Sequence, residues 1–151
     1  MTYEEWEADA PAGIRGDAIW RVQAFRLSSY LAAAADLDGE GMANQPRFAK
    51  AVAQLSSAAA SVPANIAEGY ARLSARDRIR YYEYALGSAA EAKSWYLSLS
   101  RSLPSHVVEA RLATLTSITR LLLKMIRSGR LQSTPGAADP PASQPTAPEP
   151  V

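Results

Sequence analysis

The sequence predicts an all-α fold, an antiparallel up-down-up-down four-helix bundle with a disordered Pro-rich C-terminal tail. Three observations carry this expectation. Apolar residues recur at steps of three and four in four successive segments of roughly 20–28 residues, the period of a helix with one buried face. Gly, Pro and Ser gather between these segments, in connections short enough to make successive helices antiparallel neighbours. Between the leader and the tail, no stretch alternates apolar and polar residues as a half-buried strand would, and no internal repeat occurs.

Residues 1–16 read as an acidic, flexible leader. It carries Glu4, Glu5, Glu7 and Asp9, is broken by Pro11, Gly13 and Gly16, and has Tyr3 and Trp6 as its large apolar anchors. The bundle is expected over 17–131. Its first helix spans about 17–36, opened by Asp17 as an N-cap, striped by Trp20, Ala24, Leu27, Leu31 and Ala34, and ended by Gly39 and Gly41. The second spans about 45–72, with Pro46 in its first turn and Phe48, Val52, Leu55, Ala59, Val62, Ile66 and Leu73 on one stripe. Pro63 lies inside it, where a proline deletes a backbone hydrogen bond, so a bend is expected there.

The third helix spans about 75–102, opened by Ser74 with Asp77 as a variant capping box. Its stripe is Ile79, Tyr82, Leu86, Ala89, Tyr96, Leu99 and Leu103. Pro104 and Ser105 restart the chain as a fourth helix over about 105–128, striped by Val108, Leu112, Leu115, Ile118, Leu122 and Met125 or Ile126, and closed by Gly129. From 132 to 151 the residues are mostly Pro, Ala, Ser and Thr, a composition with too little apolar surface to offset chain entropy. A turn near Leu73 sets Glu68 opposite Arg78 and Asn65 opposite Tyr81, and brings the small residues 56–61 against Gly87, Ser88, Ala89 and Ala90.

At 151 residues the chain suits one domain. It has no cysteine, which excludes disulfides, thiolate metal sites and cysteine nucleophiles. No apolar run approaches the roughly 20 residues that span a bilayer, and no basic-then-apolar signal segment opens the chain, so a cytoplasmic protein is expected. The formal charge of +1 hides a segregation, because all 16 Lys and Arg residues lie between Arg15 and Arg130 while six of the 15 acids lie in the leader and tail. The bundle itself is basic.

Enzymatic chemistry lacks its usual frames. A carboxylate-bridged di-metal site in a bundle needs Glu-x-x-His on two helices, and the single histidine, His106, precedes Glu109 in the reverse order. No Walker loop, Gly-x-Ser-x-Gly elbow or dinucleotide-binding glycine pattern occurs. The protein is therefore read as non-enzymatic, with no cofactor and no metal.

Topology concentrates the positive charge. The start of the first helix, the end of the second, the start of the third and the end of the fourth share one pole, which collects Arg15, Arg21, Arg72, Arg76, Arg78, Arg80, Arg120, Lys124, Arg127 and Arg130. Cations suit the last turn of a helix but oppose the dipole at its start, so Arg76, Arg78 and Arg80 call for another reason. Polyanion binding supplies one. The candidate nucleic-acid-binding residues are Arg72, Arg76, Arg78, Arg80, Lys124, Arg127 and Arg130. Tyr70, Tyr81, Tyr82 and Tyr84 interleave with them and can pack inward or stack on single-stranded bases. The leader joins at the same pole, so its four acids can compete with phosphates there. Gly87, in the middle of a polar stripe on the third helix, marks a close approach either by a neighbouring subunit or by packing within the chain.

The segment Val62-Pro63-Ala64-Asn65-Ile66-Ala67-Glu68-Gly69-Tyr70, with Ala85-Leu86-Gly87-Ser88-Ala89-Ala90-Glu91, resembles the four-helix-bundle family whose founding members are encoded in intervening sequences of bacterial 23S rRNA genes. The resemblance covers about residues 17–128. It implies a small cytoplasmic bacterial protein that forms a homo-oligomer, such as a homopentamer, related to accessory proteins of diversity-generating retroelements that bind nucleic acid and a reverse transcriptase. Pro63, Asn65, Glu68, Gly69, Gly87, Ser88 and Glu91 are the matching signature residues, read as structural: a kinked helix, a close crossing, and polar groups pairing between helices or subunits. Trp20-Arg21-Val22-Gln23-Ala24 departs from the family's commoner aromatic-Gln pattern. The expected function is an oligomeric nucleic-acid-binding protein that favours RNA; the alternative is an interaction scaffold or accessory subunit for an acidic protein partner. No membrane partner is expected.

Overall fold

In the computed structural model, which describes residues 1–132, every regular element is helical. Two short helices, α1 (Tyr3–Ala8) and α2 (Ala12–Arg15), and a 3₁₀ turn (Ala18–Arg21) precede four long ones: α3 (Gln23–Gly39), α4 (Pro46–Tyr70), α5 (Ala75–Leu99) and α6 (Ser105–Gln132). The expected tail lies, beyond Gln132, outside the described residues.

The apolar stripes meet in one core. Leu31 and Ala35 of α3, Leu55, Val62 and Ile66 of α4, Ala85, Ala89 and Tyr96 of α5, and Leu115, Ile118 and Leu122 of α6 are all buried in it. Each large side chain removed from water contributes about 1.5–3 kcal/mol, which is what holds the four helices together. Neighbours run in opposite directions, as their contacts show. Gly39 at the end of α3 lies against Val52 near the start of α4, Gly69 against Tyr82, and Gly129 against Ile79. Asp38 bonds Arg111, so α6 closes the ring of helices onto α3.

The helix ends differ from the expectation where local chemistry competes with the stripe. Asp17 does cap, its carboxylate accepting from the Ile19 N–H at 2.9 Å, but it caps the 3₁₀ turn. Extended backbone at Val22 then separates that turn from α3, which starts six residues later than the 17–36 estimate and runs on to Gly39. Leu73, expected on the core stripe of the second helix, stands 98% exposed in the turn after α4, which ends at Tyr70. Gly129 does not close α6, which continues to Gln132. Instead its missing side chain admits Ile79, whose Cγ1 would sit 3.0 Å from an added Cβ. Ser74 caps α5 as expected, accepting from the Asp77 N–H at 3.4 Å. Helix α4 continues through Pro63 to Tyr70.

The leader is helical and docked rather than loose. Thr2 and Glu5 form a reciprocal capping box at the start of α1. The two anchors named from sequence do the holding: Tyr3 meets Tyr30 edge-on with ring centroids 5.6 Å apart, and Trp6 packs on Trp20 at 5.8 Å. Glu7 pairs with Arg26 at 2.9 Å. The chain thus doubles back along α3, and Met1, Thr2 and Tyr3 share a cleft with His106, Val107 and Arg111 at the start of α6. That end of the bundle is opposite the one where α5 begins, so Met1, Thr2 and Tyr3 sit away from Arg76 and Arg80, and Glu7 is paired with Arg26.

Candidate nucleic-acid interface

Two clefts lie where the start of α5 meets the end of α6, and a third lies on α6 alone. One, of about 280 Å³, is lined by Arg78, Tyr82, Lys124 and Ser128. A second, of about 550 Å³, is lined by Arg76, Ile79, Arg80, Glu83 and Arg130. A third, of about 320 Å³, is lined by Arg120, Lys124, Arg127 and Leu131. Antiparallel packing brings these cations together although their sequence positions are some fifty residues apart.

Their partners divide them. Arg80 lies 3.8 Å from Asp77, and Arg130 lies 2.7 Å from Glu83, both exposed pairs of the kind worth about 0–1 kcal/mol. Arg78 donates to the Arg72 carbonyl oxygen at 3.2 Å. Arg76, Arg120, Lys124 and Arg127 have no carboxylate within ion-pair distance among the described residues. Arg72 stands apart from the clefts: it pairs with Glu68, donates to the Tyr81 hydroxyl at 3.0 Å and stacks on that ring at 4.7 Å. Arg15 and Arg21 stay with the leader, on α2 and the 3₁₀ turn.

The tyrosines separate by environment. Tyr82 is buried, and that burial pushes its phenol above the ordinary 10.0. Tyr81 carries Arg72 on its ring and Arg80 at 5.8 Å. Tyr84 is 52% and Tyr70 43% exposed.

Within the chain, the signature polar groups expected to pair between helices or subunits make local bonds. Asn65 donates to the Ser61 carbonyl at 2.8 Å, Ser88 to the Tyr84 carbonyl at 3.1 Å, and Trp95 to the Glu91 carboxylate at 3.3 Å. Glu68 meets Arg72 one turn on. Gly69 does serve a close crossing, since an added Cβ would lie 2.8 Å from Tyr82 and 3.1 Å from the Arg78 carbonyl oxygen. Gly87 does not, because nothing lies within 4 Å of the same position. Packing within the chain is thereby removed as its explanation.

Sequence reasoning missed the polar centre that does join helices. Asp38, 8% exposed, accepts from Arg111 Nε at 2.8 Å and Nη2 at 3.1 Å, and from the Tyr96 hydroxyl at 2.8 Å. Arg111, 11% exposed, also donates to the Tyr30 hydroxyl at 2.7 Å, which donates to the Met1 carbonyl at 3.3 Å. Burial, then the adjacent Asp38 charge, holds the Tyr96 phenol far above its ordinary 10.0. The signal was present: Arg111 stands four residues before Leu115, and Asp38 three after Ala35, so each is a charge on an apolar stripe. No group of three or more potential metal ligands occurs among the described residues. No helix among them is long and apolar enough to cross a membrane.

Residues 43–128 match the family model described as 23S rRNA-intervening sequence protein. A crystal structure of a protein of unknown function from the S23 ribosomal protein family of Bacteroides thetaiotaomicron VPI-5482 is similar with a TM-score of 0.65 and 24% identity, over 69% of this chain and 98% of that one. What the two share at that identity is the helical fold. No curated protein matches the chain.

Proposed function

Since the chain belongs to the 23S rRNA-intervening sequence protein family, we propose that it is a non-enzymatic, oligomeric bundle that binds RNA along the α5–α6 groove. One observation carries the reading. Arg76, Arg78 and Arg80 stand at the start of α5, where the helix dipole disfavours cations; Arg78 faces a cleft shared with Lys124, and Arg76 and Arg80 face one shared with Arg130. A polyanion offsets that cost, and release of its counterions supplies affinity without base contacts. The site needs no cofactor. Oligomerisation draws on Gly87, whose open backbone starts the stretch of α5 that admits a helix of a second copy, beyond the turns that carry Arg76 and Arg80, in a ring such as a homopentamer.

Binding of a fluorescent RNA oligonucleotide, followed by anisotropy across a salt series, tests the interface. The wild type should bind with an affinity that falls steeply as salt rises. Reversing Arg76, Arg78 and Arg80 to Glu should abolish binding, and because acids suit a helix start the variant should keep its helicity. Unchanged affinity in the reversed protein rejects the interface.

A second reading, an accessory subunit for an acidic protein partner, draws on Leu73, an exposed apolar knob between Arg72 and Arg76 for which a phosphate backbone has no use. Capture of partners with and without nuclease separates the two. Partners lost on nuclease treatment support RNA; an acidic protein retained through it supports the accessory role.

A further inference from the structure

We infer that the preferred ligand of this interface is an unpaired strand, held by base stacking on Tyr84 and Tyr70, an inference that rests on the RNA-binding reading above. Tyr84 and Tyr70 are exposed aromatic rings, Tyr84 on the helix that carries Arg76 and Arg80 and Tyr70 at the end of α4, whereas Tyr82 is in the core and Tyr81 carries guanidinium groups. Among the described residues Tyr70 makes no ring or guanidinium contact, and Tyr84 makes one, edge-on with Tyr81 at 5.7 Å. That contact fixes the Tyr84 ring on a rigid helix and lowers the entropy lost when a base stacks on it.

Position supports the same reading. Arg76, Arg80 and Tyr84 follow one another at four-residue steps on the outer face of α5, about 6 Å apart along the axis. A strand laid along α5 meets two cations and then a ring. A duplex cannot use the ring, because its base faces are stacked inside and A-form RNA offers mainly phosphates and 2′-hydroxyls across a shallow groove. Aromatic platforms accept any base, so little sequence preference follows.

The full chain is titrated with a single-stranded RNA and with a hairpin of the same length and composition, at several salt concentrations. The single strand should bind tighter. Tyr84→Ala should weaken it on the order of tenfold while leaving the hairpin unchanged, and Tyr84→Phe, which keeps the ring, should restore single-strand binding. Circular dichroism confirms that each variant is folded. Equal, salt-sensitive binding of both RNAs with no effect of Tyr84→Ala overturns this inference and leaves the electrostatic interface standing. Absence of salt-sensitive binding to either RNA overturns both.

Discussion

Asp38 and Arg111 illustrate how a buried charge pair is held without being a simple source of stability. The carboxylate accepts three hydrogen bonds, two from the guanidinium and one from Tyr96. Its Coulombic gain is set against the desolvation of both ions, so the pair as a whole is nearly neutral while half of it is expensive. Asp38→Ala should lower the unfolding free energy by about 3–5 kcal/mol, and Asp38→Leu with Arg111→Met should recover most of that. Urea denaturation of the two variants measures both. Tyr96 adds a pH dependence. Its neutral form is favoured in the fold, so its contribution is complete below the ordinary value of 10.0 and is lost as pH rises above it. Stability should fall by about 1.4 kcal/mol per unit above pH 10 through Tyr96. Phenolate absorbance from Tyr96, isolated by comparison with Tyr96→Phe, should appear together with loss of helical dichroism. Phenolate formed by Tyr96 in a fully helical protein would contradict this.

At the scale of elements, the long helices were legible because burying one face of a helix requires the three-and-four spacing of Leu31, Leu55, Leu115 and their neighbours. The start of α3 was not, since Asp17 serves a turn as readily as a helix. Leu73 misled because an apolar residue at the right interval carries no mark of being beyond the helix end. The two signature glycines show the same limit. Gly69 is closed in by Tyr82 while Gly87 is open, and only packing tells them apart. Gly69→Ala should cost about 1–3 kcal/mol by overpacking, whereas Gly87→Ala should gain about 1 kcal/mol of helix propensity, both read from thermal or urea unfolding at concentrations where the protein is monomeric. The docked leader supplies another test. Deleting residues 1–16 uncovers Tyr30 and should lower the urea midpoint. Because α1 reaches away from the α5–α6 groove, the deletion should leave RNA affinity at physiological salt unchanged, the Debye length there being about 8 Å.

Across the whole molecule, Arg76, Lys124 and Arg127 stand where α5 begins and α6 ends, while Arg47, Lys50 and Arg101 stand at the other end, where the Asp38–Arg111 pair lies under the leader. Which helix ends meet was legible from sequence, because antiparallel order dictates it. Which cations are already satisfied was not, since Arg72 and Arg76 differ only in what surrounds them. An assembly that packs α5 from Gly87 onward against a second copy would set the Arg76 ends of the copies near one another. Gly87→Leu should shift the mass seen by light scattering towards a monomer with helicity kept, and it should weaken RNA binding through lost multivalency. A wild type already monomeric at micromolar concentration would refute the assembly.

The bond between Asp38 and Arg111 joins residues 73 positions apart, which sets an order of events while the chain is being made. Translation at about 5–20 residues per second separates the two by roughly 4–15 s. Throughout that interval α3 has no α6 to close against. A leucine at position 38 would extend its apolar stripe by another turn and leave more of it open to aggregation, whereas an aspartate is at ease in water until Arg111 arrives. The same carboxylate that adds little to the finished fold therefore protects the unfinished one.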